Sequence, residues 1–457
     1  MNKAIILAAG EGTRMKSTIP KVLHSVCGKS IIKYVIDASK AAGIDENILV
    51  LGHGKEKIEA SLHGESVTFT YQPIGENQPY GTGFAVMQAI SYIKDEDTVL
   101  ILNGDVPLIK SDTLASFIRE HHHQEAKATI LTADFDNPKG YGRIVRNHSG
   151  RVESIIEEKD ANEDQKRIKE INSGIYCFSG KYLKEVLNLL DTNNAQNEYY
   201  ITDAIGILSE KGLSVCAYKI QNPIEIAGVN NRYQLHELNI YQKHIINQKH
   251  MINGVTIIDS QQTYIEDTVE ISNDVVIYPG THIRGDTTIE SGCVIGPQTL
   301  IEDSHIGPNN CIEMSKVIRS ETKNNCQIGP FAYLRPGSQL GNNVKIGDFV
   351  EVKNTIIGDG SKASHLAYLG DGIIGENVNV GCGVIFVNYD GINKHKTIIE
   401  DNAFIGSNTN LVAPVTVARG GYVACGSTIT ENVNENEMAI ARARQVNIGD
   451  KGKNKYK

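Results

Sequence analysis

The first half of the chain is organised by the stretch Ala4-Ile5-Ile6-Leu7-Ala8-Ala9-Gly10-Glu11-Gly12-Thr13-Arg14-Met15-Lys16, which Pro20-Lys21 soon follows. Residues 4–7 form a short apolar run, which predicts a buried β-strand. Gly10 and Gly12 then allow a sharp turn that points several backbone N–H groups at one place, where anionic oxygens bind. Arg14 and Lys21 add positive charge there. The alternative is an ordinary turn between a strand and a helix, but the length of the pattern favours an anion-binding loop.

A second pattern, a six-residue recurrence of aliphatic residues, fills the C-terminal part of the chain. The recurrent positions are Ile265, Ile271, Ile277, Ile283, Ile289, Ile295, Ile301, Ile306, Ile312, Ile318, Ile328, Leu334, Leu340, Ile346, Val352, Ile374, Val380, Ile405, Leu411, Val417, Val423 and Ile429. A period of six fits neither the 3.6-residue turn of a helix nor the two-residue alternation of a strand. It predicts a parallel β-helix, in which each hexapeptide forms one short strand and one turn and three hexapeptides form a coil.

Composition and charge restrict the classes of function. The chain has 457 residues, enough for two or three domains, and a formal net charge of −9,. That charge argues against a broad nucleic-acid surface, so we expect local basic clusters to bind small anions. No signal peptide and no apolar run of membrane-spanning length is evident. The eight cysteines form no C-x-x-C pair, and we predict a cytoplasmic protein with reduced cysteines that binds neither nucleic acid nor membrane,.

Strands and helices alternate along the first half of the chain. The predicted strands are 47–51, 98–102, 128–133 and 174–178, and the predicted helices are 30–42, 83–93 and 181–190. This order predicts an open α/β sheet that binds ligands at the carboxyl ends of its strands. The predicted domains are 1–229, a linker helix at 230–250, and a β-helix at 251–457, whose last residues, 451–457, we expect to be disordered.

A carboxylate follows one of these predicted strands. Leu100-Ile101-Leu102-Asn103-Gly104-Asp105 is an aliphatic strand that ends in Gly-Asp. Mg²⁺ is usually bound by one or two carboxylates together with substrate phosphates. An aspartate at a strand end is more often part of a turn, but the anion-binding loop nearby favours a magnesium ligand at Asp105.

The glycine-containing loop, its Pro-Lys, the Gly-Asp strand end and the hexapeptides together resemble one bacterial family over almost the full chain. This is the N-acetylglucosamine-1-phosphate uridylyltransferase / glucosamine-1-phosphate acetyltransferase family. The resemblance implies a Rossmann-like α/β nucleotidyltransferase domain followed by an all-β left-handed parallel β-helix. It implies UTP and UDP-sugar contacts from Leu7, Ala8, Ala9, Gly10, Lys21, Gln72, Gly81, Thr82, Gly142, Glu157, Asn172 and Asn230. It also implies that Asp105 and Asn230 bind Mg²⁺ and that Arg14 and Lys21 assist the transfer.

The segment that contains the uracil-binding glutamine is longer here than in the resembling family. Residues 72–82 include two candidates, Gln72 and Gln78. Gln72 is favoured because it directly follows the predicted strand 67–71.

A second group of candidate residues lies in the hexapeptide region. Arg335 and Lys353 are near the ends of neighbouring hexapeptide strands, and residues 364–368 and 388–396 interrupt the hexads. These interruptions predict protruding loops, where functional residues are often found. His365 lies in the first interruption. A lone histidine is more often structural, but the two basic residues favour a sugar-phosphate site.

In the resembling family, the histidine at the position of His365 is the general base that takes a proton from the amine of glucosamine-1-phosphate as it attacks acetyl-CoA. The resemblance implies that Arg335, Lys353, Tyr368 and Asn379 bind the glucosamine phosphate and that Cys382, Asn388, Tyr389, Ser407, Cys425 and Arg442 bind acetyl-CoA. The family commonly has alanine in place of Cys382 and Cys425. We expect this change to be harmless if the contacts use the backbone, although the thiols could make the site sensitive to oxidants.

The predicted function is therefore a two-step synthesis of UDP-N-acetylglucosamine for the cell wall. Glucosamine-1-phosphate is acetylated with acetyl-CoA, and UMP is then transferred from UTP with release of pyrophosphate. The resemblance also implies a homotrimer whose acetyl-CoA site is shared between subunits.

Two alternatives remain open at this point. One is a single-activity nucleotidyltransferase whose β-helix only oligomerises or regulates, against which His365, Asn388 and Tyr389 argue. The other is a non-catalytic assembly subunit, against which Arg14, Lys21 and Asp105 argue.

Overall fold

The computed structural model describes residues 1–75 and 78–449. The chain forms two compact units, which are divided between residues 242 and 243. A single helix, Arg232–Ile252, spans this division. The domain boundaries at 229/230 and 250/251 stay a prediction, and the predicted disordered tail at 451–457 lies outside the described residues.

Unit 1 is an α/β sheet with helices packed on it. Its strands are β1 Asn2–Ala8, β2 Ser25–Val26, β3 Lys29–Ser30, β4 Glu46–Leu51, β5 Thr68–Tyr71, β6 Thr98–Asn103, β7 Ala128–Asp134, β8 Arg143–Arg146, β9 Val152–Ile156, β10 Glu170–Ser179 and β11 Val215–Lys219. Its helices are α1 Ile31–Ala41, α2 Lys55–Ser61, α3 Thr82–Met87, α4 Ser111–His123, α5 Glu163–Lys166, α6 Gly180–Leu187, α7 Asp203–Glu210 and the start of α8 Arg232–Ile252. The main sheet has the strand order β11-β7-β10-β6-β1-β4-β5.

Most strands of this sheet are parallel, which brings their carboxyl ends to one edge. β1 pairs in parallel with β4 and β6, and β4 pairs in parallel with β5. β10 is antiparallel to both β6 and β7. The buried aliphatic residues of β1, β4 and β6 form the centre of the core. The predicted Rossmann-like α/β sheet is therefore confirmed.

One predicted helix of unit 1 is wrong in its length. The pattern predicts a helix over 83–93, whereas α3 ends at Met87 and a separate 3-10 turn covers Ile90–Tyr92. The reason is local, because the amides of Ala89 and Tyr92 bond to carbonyls three residues earlier rather than four,.

Unit 2 is a parallel β-helix of short strands. They are β12 Thr256–Ile257, β13 Tyr264–Ile265, β14 Glu270–Ile271, β15 Val276–Ile277, β16 His282–Arg284, β17 Thr288–Ile289, β18 Val294–Ile295, β19 Leu300–Glu302, β20 His305–Ile306, β21 Cys311–Ile312, β22 Lys316–Ile318, β23 Glu321–Thr322, β24 Gln327–Ile328, β25 Tyr333–Leu334, β26 Gln339–Leu340, β27 Lys345–Lys353, β28 Ile356–Ile357, β29 Lys362–Gly370, β30 Gly372–Ile374, β31 Asn379–Val380, β32 Ile385–Val387, β33 Thr397–Ile399, β34 Phe404–Ile405, β35 Asn410–Val412, β36 Val415–Val417, β37 Tyr422–Val423, β38 Thr428–Ile429 and β39 Met438–Ala439. Each strand pairs in parallel with a strand of the next coil, as Val276 with Val294 and Tyr333 with Glu351.

The six-residue recurrence gives the inward-facing residues of this β-helix. Nearly all the recurrent residues are buried, and each fully buried aliphatic side chain contributes about 1.5–3 kcal/mol,. Two of them, Ile271 and Ile318, are only partly buried, and in the coil with β22 the fully buried residue is Val317. The predicted phase is wrong by one residue there, because Val317 pairs with the inward Ile301 and Leu334.

The two predicted interruptions have different structures. Residues 364–368 do not form a protruding loop, since they lie within the nine-residue strand β29, which pairs with the equally long β27. Residues 388–396 do leave the coil, and Tyr389 and Lys394 form an isolated antiparallel bridge there. The prediction of a protruding loop is therefore wrong for residues 364–368 and correct for residues 388–396.

Candidate active sites

A cavity of about 310 Å³ lies at the carboxyl ends of the parallel strands of unit 1. The residues that directly follow β1, β4, β5 and β6 contribute to it, because parallel strands end at the same edge. The predicted residues in its wall are Leu7, Ala8, Ala9, Gly10, Lys21, Gln72, Gly81, Thr82 and Asp105. His53, Tyr80, Asn103 and Glu198 also line it and were not predicted. The structure thus brings most of the first predicted site into one cavity.

The glycine-containing loop is closed tightly onto Lys21. Gly12 has φ +67°, a left-handed conformation, and a Cβ placed on it would lie 2.8 Å from Lys21 Cβ. Only glycine fits this position without strain. Lys21 Nζ forms an ion pair with Asp105 Oδ2, and Arg14 Nη2 donates a hydrogen bond of 2.8 Å to Asn230 Oδ1. Each predicted basic residue therefore contacts one predicted metal ligand.

Asp105 and Asn230 both have side-chain atoms near Gly228. A Cβ placed on Gly228 would lie 3.8 Å from both Asp105 Oδ1 and Asn230 Nδ2. The backbone holds this arrangement, since the amide of Val229 donates to the carbonyl of Asp105 at 2.9 Å. One carboxylate and one amide oxygen suit a Mg²⁺ ion that takes its other ligands from water and phosphate. Within the described residues no cluster of three or more acidic, histidine or cysteine side chains could hold a metal by itself.

The predicted sugar-contacting residues Gly142, Glu157 and Asn172 also lie together. A Cβ on Gly142 would be 3.4 Å from both Asn172 Cβ and Glu157 Oε1. Asn172 Nδ2 donates to the hydroxyl of the buried Tyr176 at 2.8 Å. Burial raises the pKa of Glu157, and the nearby carboxylate of Asp160 raises it further. The glutamate side chain is therefore partly buried, near other carboxylates and near Asn172.

The two candidate glutamines have different surroundings. Gln72 is only 5% exposed and lines the cavity, whereas Gln78 is exposed and does not. The amide of Gln72 donates to the carbonyl of Leu51 at 2.8 Å, which continues the pairing of β5 with β4. This placement supports Gln72 over Gln78.

In unit 2, the carboxylate of Asp371 connects two predicted substrate residues. Lys353 Nζ lies 3.2 Å from Asp371 Oδ2, and Asn388 Nδ2 donates to the same oxygen at 2.6 Å. Asn354 Nδ2 donates to the other oxygen at 2.8 Å. Burial acts to raise the pKa of Asp371, but the hydrogen bonds from Asn354 and Lys353 outweigh it and bring the pKa below its usual value. The residue is therefore a buried, ionised acceptor that holds the lysine and the asparagine in place.

Further groups extend this cluster. Arg335 Nη1 donates to Glu351 Oε1 at 2.7 Å. Lys394 lies against Lys353, whose ammonium lowers the pKa of Lys394. Tyr368 comes close to Asn388, with an O···N distance of 3.5 Å. The arrangement concentrates cationic side chains beside polar groups, as a sugar phosphate would require.

His365 lies on β29, which pairs with β27, the strand that ends at Lys353. Its Nδ1 is 2.9 Å from Asp348 Oδ1, and the two residues are register partners on β29 and β27. The histidine side chain is 63% exposed, so its other ring nitrogen can reach a ligand.

Most of the predicted acetyl-CoA residues form one column along the coils that follow His365. Cys382, Ser407 and Cys425 are exposed on three successive coils, linked by the amides of Asn408 and Gly426 to the carbonyls of Cys382 and Ser407. The guanidinium of Arg442 donates to the carbonyl of Cys425 at 2.9 Å.

Two predicted residues stand apart from these groups. Asn379 is in register with Lys362 and Phe404, away from Lys353. Tyr389 is exposed, and its hydroxyl donates to the carbonyl of Gly391.

Sequence reasoning missed Asp348, Glu351, Asp371 and Lys394. The spacing of one coil, 17 residues between Asp348 and His365, was the available signal, since register partners are about one coil apart,.

Comparisons with known proteins agree with the two types of domain. Residues 3–222 match the nucleotidyl transferase family model, and residues 268–303 and 320–354 match the bacterial transferase hexapeptide model. The bifunctional protein GlmU of Clostridioides difficile (strain 630) is 53% identical over 444 residues, which cover 97% of this chain and 96% of that protein. Those of Alkaliphilus oremlandii and Geobacillus sp. (strain WCH70) are 53% and 52% identical over 445 residues, 97% of this chain and 96% of each relative. This chain belongs to the GlmU family.

Membership of the GlmU family confirms the resemblance that the sequence motifs indicated. It also confirms that a nucleotidyltransferase domain precedes a hexapeptide-repeat domain. The protein is a bifunctional enzyme, with a nucleotidyltransferase domain followed by a hexapeptide-repeat transferase domain. The non-catalytic alternative is excluded by this membership. Among the residues that the structure describes, no helix is long and apolar enough to span a membrane.

Proposed function

We propose that this GlmU protein makes UDP-N-acetylglucosamine by acetylating glucosamine-1-phosphate and then transferring UMP to the product. The observation that carries the proposal is the presence of two groups of predicted side chains. One surrounds the cavity at the sheet edge of unit 1, and the other surrounds Asp371 and His365 on unit 2. Each group contains the cations needed to bind a phosphorylated substrate.

In uridylyl transfer, a phosphate oxygen of N-acetylglucosamine-1-phosphate attacks the α-phosphorus of UTP, and the bond to the pyrophosphate oxygen breaks. Two anions approach each other, so positively charged groups that reduce their repulsion accelerate the reaction. Lys21 and Arg14 are placed to bind these phosphates once they leave their present partners, Asp105 and Asn230. Gln72 reads the uracil, and Gly142, Glu157 and Asn172 bind the sugar.

Asp105 and Asn230 are the residues that would hold Mg²⁺. The ion would neutralise phosphate charge and stabilise the leaving pyrophosphate. The position of both side chains near Gly228 supports this assignment.

In acetyl transfer, the amine of glucosamine-1-phosphate attacks the thioester carbonyl of acetyl-CoA. A C–N bond forms, the C–S bond breaks, the amine proton passes to His365 Nε2, and coenzyme A leaves as a thiolate that takes up that proton. Neutral imidazole is suited to this role near neutral pH. Arg335, Lys353, Tyr368 and Asn379 bind the sugar phosphate, and Cys382, Asn388, Tyr389, Ser407, Cys425 and Arg442 bind acetyl-CoA.

We further propose that the protein is a cytoplasmic homotrimer. Apolar side chains stay exposed on the β-helix, including Phe331, Phe349, Ile356 and Ile373, and such groups mark interaction surfaces,. Buried cysteines such as Cys177 and Cys293 are not joined in disulfides, which suits a reducing compartment,.

A coupled assay tests the two-step function. Glucosamine-1-phosphate, acetyl-CoA, UTP and Mg²⁺ are supplied together, and we expect coenzyme A, pyrophosphate and UDP-N-acetylglucosamine in equal amounts. If pyrophosphate formed only when N-acetylglucosamine-1-phosphate replaced glucosamine-1-phosphate, the single-activity alternative would be correct.

Shortening the chain should separate oligomerisation from uridylyl transfer. We expect residues 1–242 alone to make UDP-N-acetylglucosamine from N-acetylglucosamine-1-phosphate and UTP, but to be monomeric by light scattering. Residues 1–229 should be less stable, because they lack Leu238, which packs against Met15 and Val26, and Arg232, which donates to the carbonyl of Met15. A trimeric 1–242 fragment would place the subunit interface in unit 1 and contradict the proposal.

A further inference from the structure

Asp348 and His365 occupy equivalent places on the two longest strands of the β-helix. β27 and β29 each have nine residues and pair in parallel from Lys345 with Lys362 to Lys353 with Gly370. Within this ladder Asp348 is directly opposite His365, and Asp348 Oδ1 is 2.9 Å from His365 Nδ1. This contact follows from the register of β27 and β29, so the paired strands hold the two side chains next to each other.

The backbone turns sharply just after each of these residues. Phe349 has φ +59° and Leu366 has φ +31°. The same left-handed turn occurs in the two preceding coils at Met314 and Phe331, with φ of +42° and +59°, so it is a regular corner of the β-helix. The two turns place Asp348 and His365 side by side at one corner of the coil.

Among the residues that the structure describes, only Nδ1 of His365 has a hydrogen-bond partner, which leaves Nε2 open. Asp348 contacts Nδ1 from the preceding coil, while Cys382 is beside His365 on the following coil, because the amide of Gly383 donates to the carbonyl of Leu366. The positive charge of Lys345 lies close enough to Asp348 to favour its ionised form. The hydrogen bond with His365 is the main reason why the pKa of Asp348 lies below its usual value, so this carboxylate stays ionised.

We propose that Asp348 is a positioning residue for acetyl transfer, which accepts a hydrogen bond from Nδ1–H of His365 and leaves Nε2 as the base. This inference rests on the proposed role of His365. An ionised carboxylate selects the tautomer with the proton on Nδ1, fixes the ring orientation, and stabilises the imidazolium that forms when Nε2 takes the amine proton. Asp348 itself stays ionised throughout.

The test uses the full-length protein and the variants Asp348→Asn and Asp348→Glu. We expect Asp348→Asn to lower kcat for acetyl transfer by about 10- to 100-fold, less than for a buried carboxylate because both side chains reach solvent. KM for both substrates should change by less than about twofold, since Asp348 touches neither substrate. The acid limb of the kcat profile should move to lower pH, because the charge that favours imidazolium is lost. Asp348→Glu should recover part of kcat.

A matched control is available on the same β-helix. Glu290 lies 3.3 Å from His305, and both side chains are about as exposed as the Asp348–His365 pair. Glu290→Gln should leave kcat, KM and the pH profile unchanged. Uridylyl transfer should also be unchanged in every variant.

A double variant separates positioning from a structural role. Adding Asp348→Asn to His365→Ala should cause no further loss, because the carboxylate acts only through the histidine. The inference would be wrong if Asp348→Asn caused the same fold loss in the His365→Ala protein as in the wild type. It would also be wrong if Asp348→Asn left kcat and the pH profile unchanged. If His365→Ala itself kept wild-type turnover, the proposed base would be wrong instead, so the two failures are distinguishable.

Discussion

Replacing Asp105 by alanine is expected to lower uridylyl transfer by about 10³-fold or more, since losing a metal ligand removes several kcal/mol of charge stabilisation. Asp105 follows β6 at the sheet edge, lines the cavity and, like Asn230, has side-chain atoms near Gly228. The substitution also leaves Lys21 without its carboxylate partner. Acetyl transfer should stay within about twofold of wild type, because that chemistry uses residues of unit 2.

The measurement is UDP-N-acetylglucosamine formation from UTP and N-acetylglucosamine-1-phosphate over a range of Mg²⁺ concentrations. Asp134→Asn is a matched control, since Asp134 also ends a strand, β7, and pairs with a lysine, Lys219, at 3.0 Å. Asp134 lies outside the cavity wall, so uridylyl transfer by the Asp134→Asn protein should be normal. Wild-type turnover by the Asp105→Ala protein at saturating Mg²⁺ would disprove the assignment.

His365→Ala should lower acetyl transfer by about 10²- to 10⁴-fold, the usual contribution of a general base. Acetyl-CoA binding should persist, because Ser407, Cys425 and Arg442 lie on later coils than His365 and its neighbour Cys382. In the wild-type enzyme, acetyl transfer should fall on the acid side, since protonated imidazole cannot accept the amine proton. Calorimetric titration with acetyl-CoA and a pH series of initial rates check these expectations.

His305→Ala provides the comparison for this variant. His305 is a half-exposed histidine of the same β-helix that also contacts a carboxylate, and its loss should not affect either reaction. If His365→Ala kept most of its turnover, or if the wild-type rate were flat on the acid side, the histidine would only orient the sugar and water would take the proton. Uridylyl transfer in the same preparation reports whether the fold survives.

The sequence predicted those features that arise from neighbouring residues. The apolar run and glycines after residue 4 predicted β1 and its loop, and the six-residue recurrence predicted the inward residues of the coils, because both depend on local backbone geometry. The errors in helix length and in coil phase also arose from neighbouring residues. A 3-10 turn ended α3 early, and Val317 replaced Ile318 inside one coil.

Sequence reasoning did not identify which candidate residues contact each other. Asp371 contacts Lys353 and Asn388, and Asp348 contacts His365, although these partners are distant along the chain. Residues 364–368 were predicted as a loop because they broke the hexad, yet they form part of β29, where pairing with β27 compensates for the irregular spacing.

By itself, the sequence determined the family, the two types of domain and most of the candidate site residues, because motifs and periods are local. Only the tertiary structure decided which of these residues touch. Coil register sets which side chains become neighbours, and Lys21 meets Asp105 because parallel strands end at one edge of the sheet. Such contacts depend on how whole strands align, and an alignment of strands is a property of the packed chain rather than of any short segment.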